Sequence, residues 1–365
     1  MLNGKSILIT GGTGSFGKKF VETVFRDYPG IKKIIVYSRG ESAQYVMQRQ
    51  YPHKQYPQLR FFIGDIRDKE RLLRACSEVD ILIHAASISQ PDTAEYNPEE
   101  CVKTNVIGAQ NVIDVALICN IKNIISLSSD KACAPINLYG ASQLLSDKLF
   151  VAANNIKGRK DIKFSVVRYG NVIGARGSVI PYFIERRDMG AKELPITDKR
   201  MTRFNVTQQT AVDMVICAIQ NHLGGEIFIP KCPSYRITDV AMAIAPNLAQ
   251  SEVGIRPSEK LHEQMISKDD AINTIDLGGS YAILPAIAFT DNRNKETYLT
   301  HYNAKSVPED FAYGSDTNTE WETVDSLRDK IRRYVNSNFK VNAARKSKVD
   351  DLSLIHISEP TRLQL

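Results

Sequence analysis

Ser6-Ile7-Leu8-Ile9-Thr10-Gly11-Gly12-Thr13-Gly14-Ser15-Phe16-Gly17 decides the fold. Ser6–Thr10, apolar or β-branched at every position but Ser6, reads as a buried strand, and the glycine-rich turn after it runs into a helix expected over about 16–26. A turn this tight, lying between a strand and a helix, lets backbone approach a pyrophosphate with no Cβ in the way. The helix start then offers unpaired N–H groups and a positive dipole end. In this context Gly11, Thr13, Gly14, Ser15, Phe16 and Gly17 read as a dinucleotide cradle.

The same rhythm recurs along the chain. Lys33–Ser38, 59–64, 79–84, 121–128 and 164–168 are short, nearly continuous apolar runs separated by helical stretches. That alternation predicts a parallel sheet covered on both faces, a Rossmann-like doubly wound α/β domain. Beyond about Gly174 prolines punctuate mixed segments, which predicts a smaller substrate-binding lobe interleaved with returning strands such as 226–229. We therefore expect a dinucleotide-binding domain over 1–174 and a substrate lobe over 175–340. The last stretch, 341–365, fits neither: Ser353-Leu354-Ile355-His356-Ile357-Ser358-Glu359-Pro360-Thr361-Arg362 reads as a translated adapter string or a variable tail, and is set aside.

Composition excludes other classes. The 365 residues carry 47 Lys+Arg against 41 Asp+Glu, a formal charge of +6, with 43% hydrophobic and 24% charged residues. These are globular values, not those of a disordered chain. No apolar run is long enough to span a bilayer, and the N-terminal run is too short for a secretion signal, so a cytoplasmic protein is expected. The basic excess is dispersed, without the Lys/Arg tracts of a nucleic-acid binder. Six cysteines form no CxxC pair and no histidine cluster has metal-ligand spacing, so no metal is expected.

The second strand ends Tyr37-Ser38-Arg39 with no carboxylate at its tip. An acidic residue there would accept the ribose 2′-OH of NAD, whereas Ser38 and Arg39 can donate to the 2′-phosphate of NADP. NADP is accordingly expected over NAD, although a plain surface arginine is the alternative. Asp65 reads as a neighbour of the adenine amino edge or as a plain loop aspartate. Ile66, Ala85, Ala86, Tyr139 and Gln143 complete the expected cofactor contacts.

Ser128-Ser129-Asp130-Lys131 closes the fifth strand, and Tyr139 falls on the next helix. Strand ends in such sheets lie beside the nicotinamide, so these polar groups are candidates for catalysis. A tyrosine can take the proton of a sugar hydroxyl, but its usual pKa of about 10 requires a nearby cation.

The glycine turn, Ser129-Asp130-Lys131 and Tyr139-Gly140-Ala141-Ser142 resemble the extended short-chain dehydrogenase/reductase superfamily. More narrowly, the chain resembles the inverting UDP-N-acetylglucosamine 4,6-dehydratases of flagellin glycosylation and surface-polysaccharide synthesis. Ile34-Ile35-Val36-Tyr37-Ser38-Arg39, Arg60-Phe61-Phe62-Ile63-Gly64-Asp65, Ala94-Glu95-Tyr96-Asn97-Pro98 and Pro135-Ile136-Asn137-Leu138-Tyr139-Gly140 carry the likeness. So do Val167-Arg168-Tyr169-Gly170-Asn171-Val172, Arg200-Met201-Thr202-Arg203-Phe204 and Gly254-Ile255-Arg256-Pro257.

The resemblance implies a homo-oligomer that oxidises C4 of a UDP-sugar, eliminates water across C5–C6 and reduces C6, inverting C5. Tyr139 is then the base at C4 and Ser129 holds the C4 oxygen. Lys131 takes the C5 proton, and Asp130 is the acid that helps the C6 oxygen leave. Asn171, Arg176, Arg203, Arg256, Glu259 and Lys260 are candidates for the nucleotide, each of them equally readable as a surface residue.

The chain departs from the pattern in places. Four residues after Tyr139 the superfamily has lysine, and here stands Gln143. Ser89 and Gln90 replace a lysine and a histidine of the usual loop, Ser258 replaces a glycine, and Asn205 an aromatic residue. A related C5-epimerase and a catalytically impaired nucleotide-sugar-binding homologue are therefore the alternative readings.

Overall fold

The computed structural model describes residues 2–175, 177–256, 258–287 and 293–341. The tail set aside above lies outside them except for Val341, and so does the candidate Arg176. Among the described residues no helix is long and apolar enough to cross a membrane.

The first six strands are β1 (Ser6–Thr10), β2 (Lys33–Ser38), β3 (Leu59–Ile63), β4 (Ile81–His84), β5 (Asn123–Ser129) and β6 (Lys163–Tyr169). They lie in the order β3-β2-β1-β4-β5-β6, all parallel. This is the doubly wound order, with the strand sequence reversing between β1 and β4. Ile227–Pro230 adds in parallel beside β6. Ser280–Ile283, Thr274–Asp276 and Lys305–Ser306 then extend the sheet antiparallel, giving ten strands among the described residues.

Both faces are buried because alternate residues of each strand point to opposite layers. Ile7 and Ile9 of β1 pack with Phe20 and Val24 of the helix Ser15–Asp27 and Val212 and Val215 of the helix Gln208–Asn221. Leu8 points the other way, toward Val112, Val115 and Phe150. All five residues of β1 are buried, which is why the run carries no polar alternation.

A separate apolar cluster holds the second lobe together. It joins Phe183, Leu194, Ile196, Val240, Ile244, Leu327 and Ile331. This lobe meets the sheet at the C-terminal ends of β1, β4, β5 and β6, so the strand ends face a cleft rather than open solvent.

Candidate active site

A single cavity of about 990 Å3 runs along that cleft. Gly11, Gly14, Ser15, Phe16 and Gly17 line one end, with Ala85, Ala86 and Gln143 beside them. Ser129, Lys131, Tyr139 and Asn171 line the middle. Arg203, Arg256, Glu259 and Lys260 line the far end.

The glycine end fits a dinucleotide. Gly11 has φ +65, and a Cβ there would lie 2.9 Å from the Ala85 carbonyl oxygen. A Cβ on Gly17 would lie 2.3 Å from the Gly12 carbonyl oxygen, so only glycine lets the helix sit this close to the turn. Gly14 is the N-cap and supplies no side-chain acceptor, and the first turn carries no acidic residue. The positive end of this 13-residue helix is thus left for an anion.

The expected 2′-phosphate residues lie off the cavity wall, as does Thr13. Arg39 is exposed and 3.8 Å from Asp65 Oδ2. Ser38 Oγ accepts from Gln44 Nε2 at 3.0 Å. Asp65 is occupied by Arg67, which donates from its backbone N–H at 2.9 Å and from Nε and Nη2 at 3.0 and 2.8 Å. Ile66 is a core residue: a Cβ on Gly108 would lie 2.6 Å from its Cδ1.

The catalytic candidates are fixed by two turns. Ser129 ends β5 and caps a short 3-10 turn, and Asn137 caps the helix Leu138–Ile156, with its Oδ1 accepting from Gly140 N–H at 2.7 Å. Tyr139 is thereby held in the first turn of that helix, buried on the cavity wall. Burial pushes its hydroxyl above the usual tyrosine range. A hydrogen bond with Ser129 and the Lys131 charge pull it back without cancelling the rise. Gln143 is buried on the same helix face and brings no charge.

Lys131 Nζ donates to Asp130 Oδ1 at 2.9 Å and to Asn171 Oδ1 at 2.7 Å, and lies 3.3 Å from Glu263 Oε1. Burial works to lower its pKa, but Asp130 and Glu263 outweigh it, so the amine is held as an ammonium. Asp130 does not line the cavity. Its Oδ1 accepts from Ser129 Oγ at 2.8 Å as well as from Lys131, and its buried Oδ2 has no partner.

At the far end Arg203 is not a free phosphate ligand. Its Nη1 donates to the carbonyls of Thr202 and Leu261 at 2.8 and 3.0 Å, and its Nη2 to Lys260 O at 2.9 Å and Glu259 Oε1 at 3.3 Å. It clamps the segment 259–263 in place. Lys260 Nζ donates to Cys133 O at 2.7 Å. Glu259 Oε2 is buried without a partner, and Arg256 is exposed at the rim.

Two wall residues escaped the sequence reading. Asn105 sits in a π-helical turn, Lys103–Ile107, and its amide brackets the loop after β4 by accepting from Ile88 N–H at 2.8 Å and donating to Ile88 O at 3.0 Å. Glu263 is buried beside Lys131. No local motif marks either residue.

Of the departures, Ser89 and Gln90 both line the cavity, while Asn205 is buried and donates to Glu322 Oε1 at 2.8 Å. Ser258 has φ +67, a left-handed conformation that favours glycine.

Residues 7–285 match the polysaccharide biosynthesis protein family. A UDP-N-acetylglucosamine 4,6-dehydratase (inverting) of Campylobacter jejuni is 51% identical over 332 residues, 91% of this chain and 98% of that protein. Among solved structures, Pen from Bacillus thuringiensis is 32% identical with a TM-score of 0.81, covering 91% of this chain and 98% of its own. DesIV of Streptomyces venezuelae, a dTDP-glucose 4,6-dehydratase with NAD and TYD bound, shares the fold at 22% identity and a TM-score of 0.63, covering 81% of this chain and 96% of its own.

Proposed function

The chain belongs to the polysaccharide biosynthesis protein family, and from that membership we propose that it is a C5-inverting UDP-N-acetylglucosamine 4,6-dehydratase. One observation carries the reading: Ser129, Lys131 and Tyr139 meet in the middle of one cavity that has a dinucleotide cradle at one end. The likeness to the Campylobacter jejuni dehydratase runs over nearly the whole of both chains and supports the same activity.

The cofactor is a nicotinamide dinucleotide, read here as NADP because β2 ends in Ser38-Arg39 without a carboxylate. Gly11, Gly14, Ser15 and Gly17 would hold its pyrophosphate, and Gln143 its nicotinamide ribose. When bound, such a group would supply a hydride acceptor for C4 of the sugar and a hydride donor for C6.

The chain's own residues do the proton chemistry. Tyr139 takes the C4 hydroxyl proton, and Ser129 holds the C4 oxygen. The resulting C4 ketone acidifies C5, and Lys131 takes that proton. Asp130, behind the wall, acts through the Ser129 hydroxyl and the Lys131 amine, both of which its Oδ1 accepts. Asn171 fixes the amine from the opposite side. An acid and a base at adjacent carbons are what elimination of water requires.

The nucleotide is read at the far end, with Arg256 at the rim and Glu259, whose buried Oε2 has no partner in the protein, as the candidate for a ribose hydroxyl. That the cradle comes from the first 174 residues and the far wall mainly from 175–340 supports the two-part division. A homo-oligomer is part of the same proposal.

Incubation with UDP-N-acetylglucosamine followed by mass spectrometry tests the reading. Loss of one water is expected. An unchanged mass with altered stereochemistry would assign a C5-epimerase instead, and binding without turnover would assign a nucleotide-sugar-binding homologue.

A further inference from the structure

We infer that Glu263 is an acid–base partner of Lys131, receiving the proton that the lysine must shed before it can attack C5. The inference rests on the dehydratase reading and adds to it a residue outside the Ser129-Asp130-Lys131 and Tyr139 motifs.

Glu263 is buried on the cavity wall. Its Oε1 lies 3.3 Å from Lys131 Nζ and 3.6 Å from Arg203 Nε, and its Oε2 has no hydrogen-bond partner. A buried carboxylate oxygen without a donor is costly, and such sites persist where a proton or a ligand uses them. The two carboxylates around the amine are not equivalent. Asp130 Oδ1 is filled by Ser129 and Lys131, and its Oδ2 faces Gly170, 3.6 Å from where a Cβ would stand, off the cavity. Glu263 faces the cavity beside Lys131.

The backbone around Glu263 is braced on both sides. Its N–H donates to Ser315 Oγ at 2.9 Å, and its carbonyl accepts from Ser315 N–H at 2.7 Å. Arg203 grips the carbonyls of Lys260 and Leu261 just before it. Bracing of this kind keeps the carboxylate at a fixed distance from the amine, which proton exchange needs and a flexible surface ion pair lacks.

The proton count closes. An N–H bond of Lys131 breaks and an O–H bond forms on Glu263, leaving a neutral amine and a neutral acid. The amine lone pair takes the C5 proton, and the C5–H electrons move into the C4–C5 enolate. As that enolate forms the C5–C6 double bond, the C6–O bond breaks, and the departing oxygen takes the Glu263 proton to leave as water. Lys131 is again an ammonium and Glu263 a carboxylate.

The test compares E263Q and E263D with the wild-type holoenzyme in single turnovers of UDP-N-acetylglucosamine. Both the dehydrated product and the near-ultraviolet absorbance of reduced nicotinamide are followed. E263Q is expected to form product about 100-fold more slowly or worse, the scale of one lost acid–base group. C4 oxidation, which uses Tyr139, proceeds, so reduced nicotinamide accumulates. The residual rate climbs with pH as solvent takes over the Lys131 proton, and E263D regains most of the wild-type rate and profile.

Wild-type turnover in E263Q would overturn the inference. So would equal loss of C4 oxidation and elimination, the mark of a merely structural residue. A wild-type protein that forms no dehydrated product overturns the underlying reading, and is seen before any variant is made.

Discussion

The Ser129 hydroxyl donates to Asp130 Oδ1 at 2.8 Å, so the carboxylate sits behind the serine rather than beside it on the cavity wall. In the proposed reaction Asp130 would act by holding Ser129 and Lys131, both of which its Oδ1 accepts.

Asp130→Asn keeps the shape and removes the charge. It should lower kcat about 100-fold while leaving the Kd for the UDP-sugar within about twofold. Steady-state kinetics beside calorimetric titration separates the two, and a large loss of binding would place Asp130 against the substrate.

Tyr139 has a raised hydroxyl and no lysine four residues on. In its proposed role as base it must lose its proton, so the rate of C4 oxidation should rise with pH on the alkaline side of neutrality. Gln143→Lys places a cation on the same helix face and should move that limb down by about one pH unit, raising turnover near neutral pH about tenfold. An unmoved limb would show that Lys131 and Ser129 already do the work of the absent lysine.

Gly17→Ala brings a methyl within 2.3 Å of the Gly12 carbonyl oxygen, so the helix and the turn must separate. Overpacking of this kind costs about 1–3 kcal/mol. We expect a lower unfolding midpoint and a purified protein that no longer retains nicotinamide dinucleotide. Retention at the wild-type level would argue against the cradle.

His84 and His222 are buried and held neutral, lowered by desolvation to about 4 and about 3. Between the unfolded value near 6.5 and these folded values, the unfolded chain binds more protons. Stability contributed by the neutral rings is therefore complete above about pH 6.5 and is lost as pH falls through that window, on the order of a few kcal/mol per ring. Urea unfolding at neutral and mildly acidic pH measures the slope. His222→Gln, which removes a titrating ring bonded to Ser165 and Asn123, should flatten it.

Much of this was legible in the amino-acid order. The apolar runs of β1 to β6 specify a parallel sheet because each strand is buried on both faces, and the glycine turn specifies the cradle because its geometry is local. Tyr139 on the helix after β5 follows from the same local rules. The antiparallel extension over 274–283 was not legible, since strand pairing across some fifty residues from Ile227–Pro230 leaves no local trace. The partners of Arg203 were not legible for a physical reason: a guanidinium suits backbone carbonyls as well as a diphosphate, and only the fold shows its donors bonded to 202 and 259–261. Glu263 was invisible because what sets it apart, a buried oxygen beside Lys131, arises between segments more than a hundred residues apart.

In the proposed reaction one hydrogen leaves C4 and comes back at C6 of the same sugar. UDP-N-acetylglucosamine deuterated at C4, turned over by the purified holoenzyme and analysed by NMR, follows that hydrogen directly. The deuterium is expected on the new C6 methyl group, with C5 inverted. Deuterium still at C4 of the recovered sugar, or lost from the product altogether, would contradict it.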